Sequence, residues 1–230
     1  MPTTLLVPAI EQRLAAFIEM NRRAKAAATK VAPKPTVTIS REFGCEGYPL
    51  AEEVKKLAEQ ATGEPWALVD RSLLDAVAKD HRLSEDVLHS LGQKPRWLDE
   101  MLSMLSSRWK NDADYYQLLY KQIVSVAKAG NAVIVGMGAG IITQSLENCY
   151  QFRLVANQEF KVRSIAHRLK ISKQDAELLI EERQKERERY IRNFLNADIN
   201  DTHYYHMIFN NAKIRTDRIA RTITDFVLKD

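Results

Sequence analysis

A short loop between a predicted strand and a predicted helix contains the residues best suited to chemistry. Arg41 begins this loop, and Gly44 and Gly47 lie three positions apart within it. The backbone N–H groups of such a loop, with the N-terminus of the following helix, can bind the oxygens of a phosphate. The candidate phosphate-binding residues are Ser40, Arg41, Gly44, Cys45, Glu46, Gly47 and Tyr48.

The loop departs from a standard phosphate-binding loop at two positions. The standard pattern, G-x-x-x-x-G-K-[ST], ends in a lysine that supplies charge and a hydroxyl that binds magnesium. When Gly47 is taken as the second glycine, Tyr48 stands at the lysine position and Pro49 at the hydroxyl position. Two interpretations are open. Either the backbone cradle is retained and Arg41 supplies the charge, or the segment is an ordinary turn from strand to helix.

The next two predicted strands also end in residues that could contact a substrate. Arg71 could bind an acceptor phosphate through two parallel hydrogen bonds, and Asp70 could orient a substrate hydroxyl or base. The alternative is that Asp70 and Arg71 form a surface pair that caps the next helix. Gly136 and Gly138 follow a third strand and complete the candidate substrate-binding residues.

A series of arginines occupies a strongly charged helical segment. Arg183 and Arg187 are four residues apart and share one helical face, whereas Arg189 lies on another face. Interleaved glutamates favour a solvated helix held by salt bridges. The functional alternative is a lid whose arginines close on a transferring phosphate and stabilise its charge. The candidate catalytic residues are Arg41, Arg183, Arg187 and Arg189.

Alternating strands and helices must position these residues. The strands are predicted at 36–40, 66–70, 132–136, 150–156 and 204–209. The helices are predicted at 5–28, 50–58, 72–80, 84–91, 95–109, 112–129, 141–146, 158–170, 172–193 and 214–228. This order predicts an α/β protein with a parallel sheet flanked by helices on both faces. Ligands bind such sheets at the carboxyl ends of the strands, where the candidate residues lie.

Composition restricts the class of protein further. The chain has 230 residues, 45% of them hydrophobic, and a net charge of +4, which fits an anionic small molecule but does not indicate nucleic acid. Two cysteines in no metal or disulfide pattern favour the cytoplasm. No run approaches the ~18 apolar residues of a membrane span. His203 and His206 match no strong ligand spacing, so no metal site is predicted.

The N-terminal 35 residues are predicted to be separate from the main domain. An amphipathic helix within 5–28 is followed by a stiff, proline-containing linker at 31–35. We therefore expect an extension at 1–35 and one domain at 36–230. The helix either contacts a partner, including a second copy in a homodimer, or packs on its own domain.

Several segments, kept in order, resemble the cytidylate kinase-like family, a branch of the P-loop nucleoside monophosphate kinases. The matching segments are 37–44, 70–71, 133–139, 152–156, 182–190 and 198–210. The resemblance implies a P-loop kinase fold with a helical acceptor and lid region. It also implies ATP as the donor, with Mg²⁺ held mainly by phosphates and water, and a nucleoside monophosphate or similar small acceptor.

The resemblance also assigns roles by position. Ser40, Arg41, Gly44 and Gly47 would belong to the phosphate loop, Asp70 and Arg71 would face the acceptor, and Arg183, Arg187 and Arg189 would belong to the lid. Tyr48 and Met137 stand where the family usually has basic residues. Losing two cations weakens a site that works by charge stabilisation. The alternative function is therefore a catalytically weak or inactive nucleotide-binding or regulatory protein with a kinase fold.

Overall fold

The computed structural model describes residues 33–73 and 112–229. Its strands are β1 (Thr36–Arg41), β2 (Ala67–Val69), β3 (Ala132–Val135), β4 (Cys149–Val155) and β5 (Met207–Asn210). Its helices are α1 (Gly47–Thr62), α2 (Asp112–Ala129), α3 (Ala139–Ile142), α4 (Gln158–Leu169), α5 (Lys173–Leu195) and α6 (Thr216–Leu228), with a 3-10 turn at Thr202–Tyr204. The predicted helices at 5–28, 84–91 and 95–109, and most of 72–80, lie outside the described residues.

The five strands form one parallel sheet in the order β2-β3-β1-β4-β5. In this register Ile39 of β1 pairs with Val135 of β3 on one side and with Phe152 of β4 on the other. The predicted α/β architecture with a parallel sheet is confirmed. Because the strands are parallel, the residues that follow β1, β2 and β3 meet at one edge of the sheet.

Helices cover both faces of the sheet, and β3 shows why its sequence is continuously apolar. Ala132 and Ile134 pack on one side in a cluster that includes residues of α2 and α3. Val133 and Val135 pack on the other side with residues of α1 and α6. A strand buried on both faces needs apolar side chains at every position, and all four residues of β3 are apolar and buried.

Several elements begin or end elsewhere than predicted; helix α1, for example, covers Gly47–Thr62 rather than 50–58. Strand β5 begins at Met207 rather than at residue 204, because Asp201 caps the preceding 3-10 turn by accepting the His203 N–H at 3.0 Å. Helix α3 is a single turn that starts at Ala139 and shares only two residues, 141 and 142, with the predicted 141–146 segment. It ends where the Thr143 hydroxyl donates to the Ala139 carbonyl at 2.8 Å.

The long helix α5 is fixed by a cap and by a small apolar cluster. Its N-cap Ser172 accepts a hydrogen bond from the Asp175 N–H at 3.1 Å. Ala176 and Ile180 of α5 pack on Val162 and Ile165 of α4. This packing holds the arginine-bearing part of α5 near the carboxyl edge of the sheet. None of the helices in the described part of the chain has the length and apolar character needed to cross a membrane.

Candidate functional site

A cavity of about 350 Å³ lies at the carboxyl edge of β1, β2 and β3 and is covered by α5. Its volume is at the lower end of the range for small-molecule sites, about 300–1,000 Å³. The predicted site residues that line it are Ser40, Arg41, Asp70, Arg71, Gly136, Gly138, Arg183 and Arg187. Three strand ends and one helix therefore bring together residues that are up to 147 positions apart in the sequence, from 40 to 187.

Arg41 lies in a slot whose walls are two glycines. A Cβ atom placed on Gly47 would lie 2.9 Å from Arg41 Cδ, and one placed on Gly136 would overlap Arg41 Nη1. The side chain therefore runs past the start of α1 toward the turn after β3. Burial lowers the pKa of Arg41, and the Asp70 carboxylate opposes that shift. Gly47, which was predicted for the phosphate loop, and Gly136, which was predicted to bind substrate, both make room for this guanidinium.

Arg187 joins Arg41 from α5. Its Nη1 donates to the backbone carbonyl of Arg41 at 3.1 Å, and its guanidinium carbon lies 5.0 Å from the centre of the Phe43 ring. Burial, and secondarily the positive charges of Arg41 and Arg153, lowers the pKa of Arg187 to about 9. The guanidinium groups therefore repel one another in surroundings that contain little water.

Arg153 is a buried charge that the sequence reasoning did not single out; it does not line the cavity but contacts Ser40, which does. It stands in the middle of β4, is 2% exposed, and donates to Ser40 Oγ at 3.0 Å and to Asn200 Oδ1 at 2.9 Å. The Tyr205 ring centre lies 5.6 Å from its guanidinium carbon. No carboxylate of the described residues forms an ion pair with it. The available signal was a charged side chain inside a largely apolar strand.

The loop after β1 does not form an open cradle of backbone donors. Most of its N–H groups already have acceptors within the protein: Glu42 bonds the Leu154 carbonyl, Phe43 bonds Gln184 Oε1, Cys45 bonds the Glu42 carbonyl and Glu46 bonds Asn211 Oδ1, at 2.8–3.3 Å. A phosphate bound by these amides would have to replace those acceptors. Most of the loop amides are therefore bonded within the protein, whereas the predicted cradle requires backbone N–H groups that face a ligand.

Several predicted loop residues make structural contacts and do not line the cavity. Gly44 has a φ of 101°, and a Cβ there would lie 2.7 Å from Lys161 Cβ, so it allows close contact with α4. Glu46 Oε2 accepts from the Thr216 hydroxyl at 2.5 Å. Tyr48 packs against the core cluster around α1 and α6. Cys45, Glu46, Gly47 and Tyr48 likewise lie outside the cavity lining, so a direct phosphate contact by them stays a prediction.

Cys45 is a neutral thiol in this environment. Burial, and secondarily the nearby Glu42 carboxylate, raises its pKa to about 12. Glu42 itself pairs with Lys161 at 3.1 Å and accepts the Ala156 N–H at 3.2 Å. Because a thiol reacts as its thiolate, Cys45 is unsuited to nucleophilic chemistry near neutral pH.

Asp70 and Arg71 both line the cavity. Asp70 also caps the turn that follows β2, which was the alternative to a substrate contact in the sequence analysis. Asp70 Oδ1 accepts from the Leu73 N–H at 3.0 Å and from the Ser72 hydroxyl at 2.8 Å. One carboxylate thus fixes the turn after β2 and places negative charge near Arg41. The capping interpretation and a place in the site are compatible.

The remaining arginines of α5 differ in their placement. Arg183 lines the rim of the cavity and pairs with Glu186, which lines the same rim, at 2.8 Å. This pair raises the pKa of Arg183. Arg189 is exposed and does not line the cavity. A catalytic role for Arg189 stays a prediction.

Other proteins share the sequence pattern and the fold of this chain. A model of the cytidylate kinase-like family matches residues 36–213. The chain belongs to the cytidylate kinase-like family. Among solved structures it is similar to an uncharacterised protein from Eubacterium ventriosum ATCC 27560, with a TM-score of 0.61 and 20% identity over 86% of this chain and 99% of that one. That likeness concerns the fold alone. A comparison with curated proteins gives no match.

Family membership and the sheet together establish a nucleotide kinase-like fold, consistent with P-loop kinases.

Within this fold, Met137 occupies a strained turn beside the cavity. Its φ is 59°, and its neighbours Gly136 and Gly138 have φ values of 78° and 73°. A left-handed conformation costs an ordinary residue roughly 1–2 kcal/mol. Such backbone strain is concentrated at functional sites. The Met137 side chain itself is neutral, at a position where the resemblance to the cytidylate kinase-like family leads us to expect a cation.

The site residues fit a phosphate better than they fit a magnesium ion held by the protein. Arginines are suitable phosphate ligands. For magnesium, the described residues contain no cluster of three acidic, histidine or cysteine side chains. Pro49 has no hydroxyl, and Ser40 Oγ already accepts from Arg153. A magnesium ion here would take its ligands from phosphates and water.

Proposed function

We propose that this chain binds a nucleotide through its phosphate groups at the arginine cluster, defined as Arg41, Arg153 and Arg187. The observation that carries the proposal is that Arg41 and Arg187 line one cavity, Arg187 donates to the backbone carbonyl of Arg41, and the buried Arg153 donates to Ser40 of the same cavity. None of the three forms an ion pair with a carboxylate of the described residues. Asp70 offsets part of the charge of Arg41, but bringing three guanidinium groups together in a buried site is still costly. A phosphate carries about two negative charges and would offset that cost.

The rest of the cavity supports a nucleotide rather than a free anion. Its walls include apolar and aromatic side chains that could contact a base or sugar: Leu119, Ile141, Tyr190, Ile191, Ile199 and Tyr205. Apolar walls with a few convergent polar groups are typical of small-molecule sites. Membership of a kinase-like family agrees with this ligand class.

Phosphoryl transfer from ATP to a nucleoside monophosphate or similar small acceptor is the activity that the family suggests. In such a reaction Arg41 and Arg187 would stabilise charge on the transferring group, and Arg71 would hold the acceptor phosphate. The occupied loop amides and the absence of a loop lysine favour the second candidate, a nucleotide-binding or regulatory protein with weak transfer. We therefore propose binding as the primary function and transfer as the activity to be tested.

Calorimetric titration with ATP, with and without magnesium, tests the binding proposal. Arg41→Ala removes a guanidinium from the cavity floor, and a lost charge-assisted hydrogen bond is worth about 1.5–3 kcal/mol, or roughly 10- to 150-fold in affinity. Tyr48→Phe is the matched control, because it keeps the ring packed on the core and changes only a hydroxyl outside the cavity. We expect near-wild-type affinity for this control.

Two results would count against the proposal. If the wild-type chain binds neither ATP nor any monophosphate, the nucleotide site is wrong. If Arg41→Ala and Tyr48→Phe reduce affinity equally, Arg41 does not supply the charge. Product detection against a panel of nucleoside monophosphates then separates the candidates, since binding with no product for any acceptor leaves only the nucleotide-binding role.

A further inference from the structure

A carboxylate lies among the cations at the rim of the cavity. Glu186 Oε2 is 2.8 Å from Arg183 Nη1, and both residues line the cavity. The side chains of both are about half exposed, at 49% for Arg183 and 47% for Glu186. The other carboxylate that lines the cavity in the described residues is Asp70, one oxygen of which caps the turn after β2. Glu186 therefore forms an ion pair with Arg183, which a ligand phosphate could otherwise contact.

The position of this pair relates it to the length of a phosphate chain. Arg183 is one turn of α5 before Arg187, a rise of roughly 6 Å along the helix axis. A single phosphate at the arginine cluster can be bound without reaching Arg183. A longer phosphate chain that extends toward the rim meets both Arg183 and the negative charge of Glu186.

Resting on the proposed nucleotide site, we propose that Glu186 sets the charge selectivity of this site. It competes with ligand phosphates for Arg183 and repels them, so it weakens the binding of a triphosphate more than that of a monophosphate. Glu186 is a specificity-determining residue that acts through Arg183 and through its own charge. It carries out no chemical step.

The test compares affinities for ATP and AMP by calorimetry in magnesium-free buffer, so that the phosphate charge is not neutralised. Glu186→Gln keeps the shape of the side chain and removes its charge. The change frees Arg183 from an exposed ion pair and removes the repulsion between Glu186 and the phosphates, so ATP affinity should rise roughly threefold to tenfold. AMP affinity should change less than about twofold.

A matched control exists on the same helix. Glu181 pairs with Lys185 at 2.5 Å and does not line this cavity. Glu181→Gln removes the same kind of exposed helical ion pair, and both affinities should remain at the wild-type value. The effect of Glu186→Gln on ATP should also fall by at least about half in an Arg183→Gln background, since one of its two causes is then absent.

The outcomes separate this inference from the proposed function. If ATP and AMP bind but Glu186→Gln changes both affinities equally or not at all, the selectivity role is refuted and the nucleotide site stands. An equal gain in Glu181→Gln would also refute it, because the effect would then be general to the charge of α5. If neither ligand binds the wild-type chain or Glu186→Gln, the proposed function fails and this inference fails with it.

Discussion

Replacing Gly136 with alanine tests whether Arg41 depends on its glycine slot. Gly136 has a φ of 78°, and an added Cβ would overlap Arg41 Nη1. The overlapping atom is the end of a flexible side chain, so we expect the protein to fold with Arg41 displaced. The left-handed backbone costs an alanine roughly 1–2 kcal/mol, partly offset by about 0.4–1 kcal/mol from a more restricted unfolded chain. The net loss of unfolding free energy should be about 1 kcal/mol.

The effect on ligand binding should be larger than the effect on stability. Displacing Arg41 removes a charge-assisted contact worth about 1.5–3 kcal/mol, so ATP affinity should fall roughly 10- to 150-fold. Urea unfolding followed by circular dichroism gives the stability change, and calorimetry gives the affinity.

Gly63→Ala supplies the matched control for backbone strain. Gly63 has a φ of 67°, and nothing lies within 4 Å of a Cβ placed there. It should lose the same ~1 kcal/mol of stability and keep its affinity for ATP. The reasoning is refuted if Gly136→Ala binds ATP like the wild type, or if Gly63→Ala loses affinity to the same extent.

Two further predictions concern buried groups. Arg153→Met should change the free energy of unfolding by less than about 2 kcal/mol, because replacing a buried charge with an apolar side chain of similar volume is often nearly neutral. It should lower ATP affinity about tenfold, because it removes a positive charge next to the phosphate site and the hydrogen bond to Ser40. Unfolding and titration on one sample check both, and unchanged affinity would contradict this prediction. Cys45 and Cys149, with pKa values raised by burial to about 12 and about 11, should resist a thiol reagent at about pH 8 until urea unfolds the chain. Rapid labelling of the native protein would show that these thiols are accessible.

The strand pattern predicted most of the fold because strands such as β2 and β3 are fully buried and contain only apolar residues. The continuous apolar run of β3 and the cap at Ser172 were both readable from local sequence. The start of β5 was predicted three residues too early, since the 3-10 turn depends on one hydrogen bond from the His203 N–H to the Asp201 side chain. Such side-chain contacts have no periodic signature.

The site was harder to predict than the fold, for two physical reasons. Glycines indicate space near the backbone, but the sequence does not reveal what fills that space. At Gly47 and Gly136 it is filled by Arg41, and at Gly44 by Lys161. The acceptors of the loop amides lie on distant segments, including Gln184 on α5 and Asn211 after β5. Their pairing follows from tertiary packing and cannot be read from the loop.

Three broader expectations stay predictions: the division into residues 1–35 and 36–230, a homodimer formed through the N-terminal helix, and a cytoplasmic location. Limited proteolysis at the linker would test the first, and the molecular mass of the full chain in solution would test the second.

The most direct test of the arginine cluster is a crystal structure of the full chain with bound ATP. We predict phosphate oxygens within about 2.7–2.9 Å of guanidinium nitrogens of both Arg41 and Arg187, the distances of charge-assisted hydrogen bonds. Phosphate bound elsewhere, or held by the loop amides with Arg41 turned out of its slot between Gly47 and Gly136, would contradict the account.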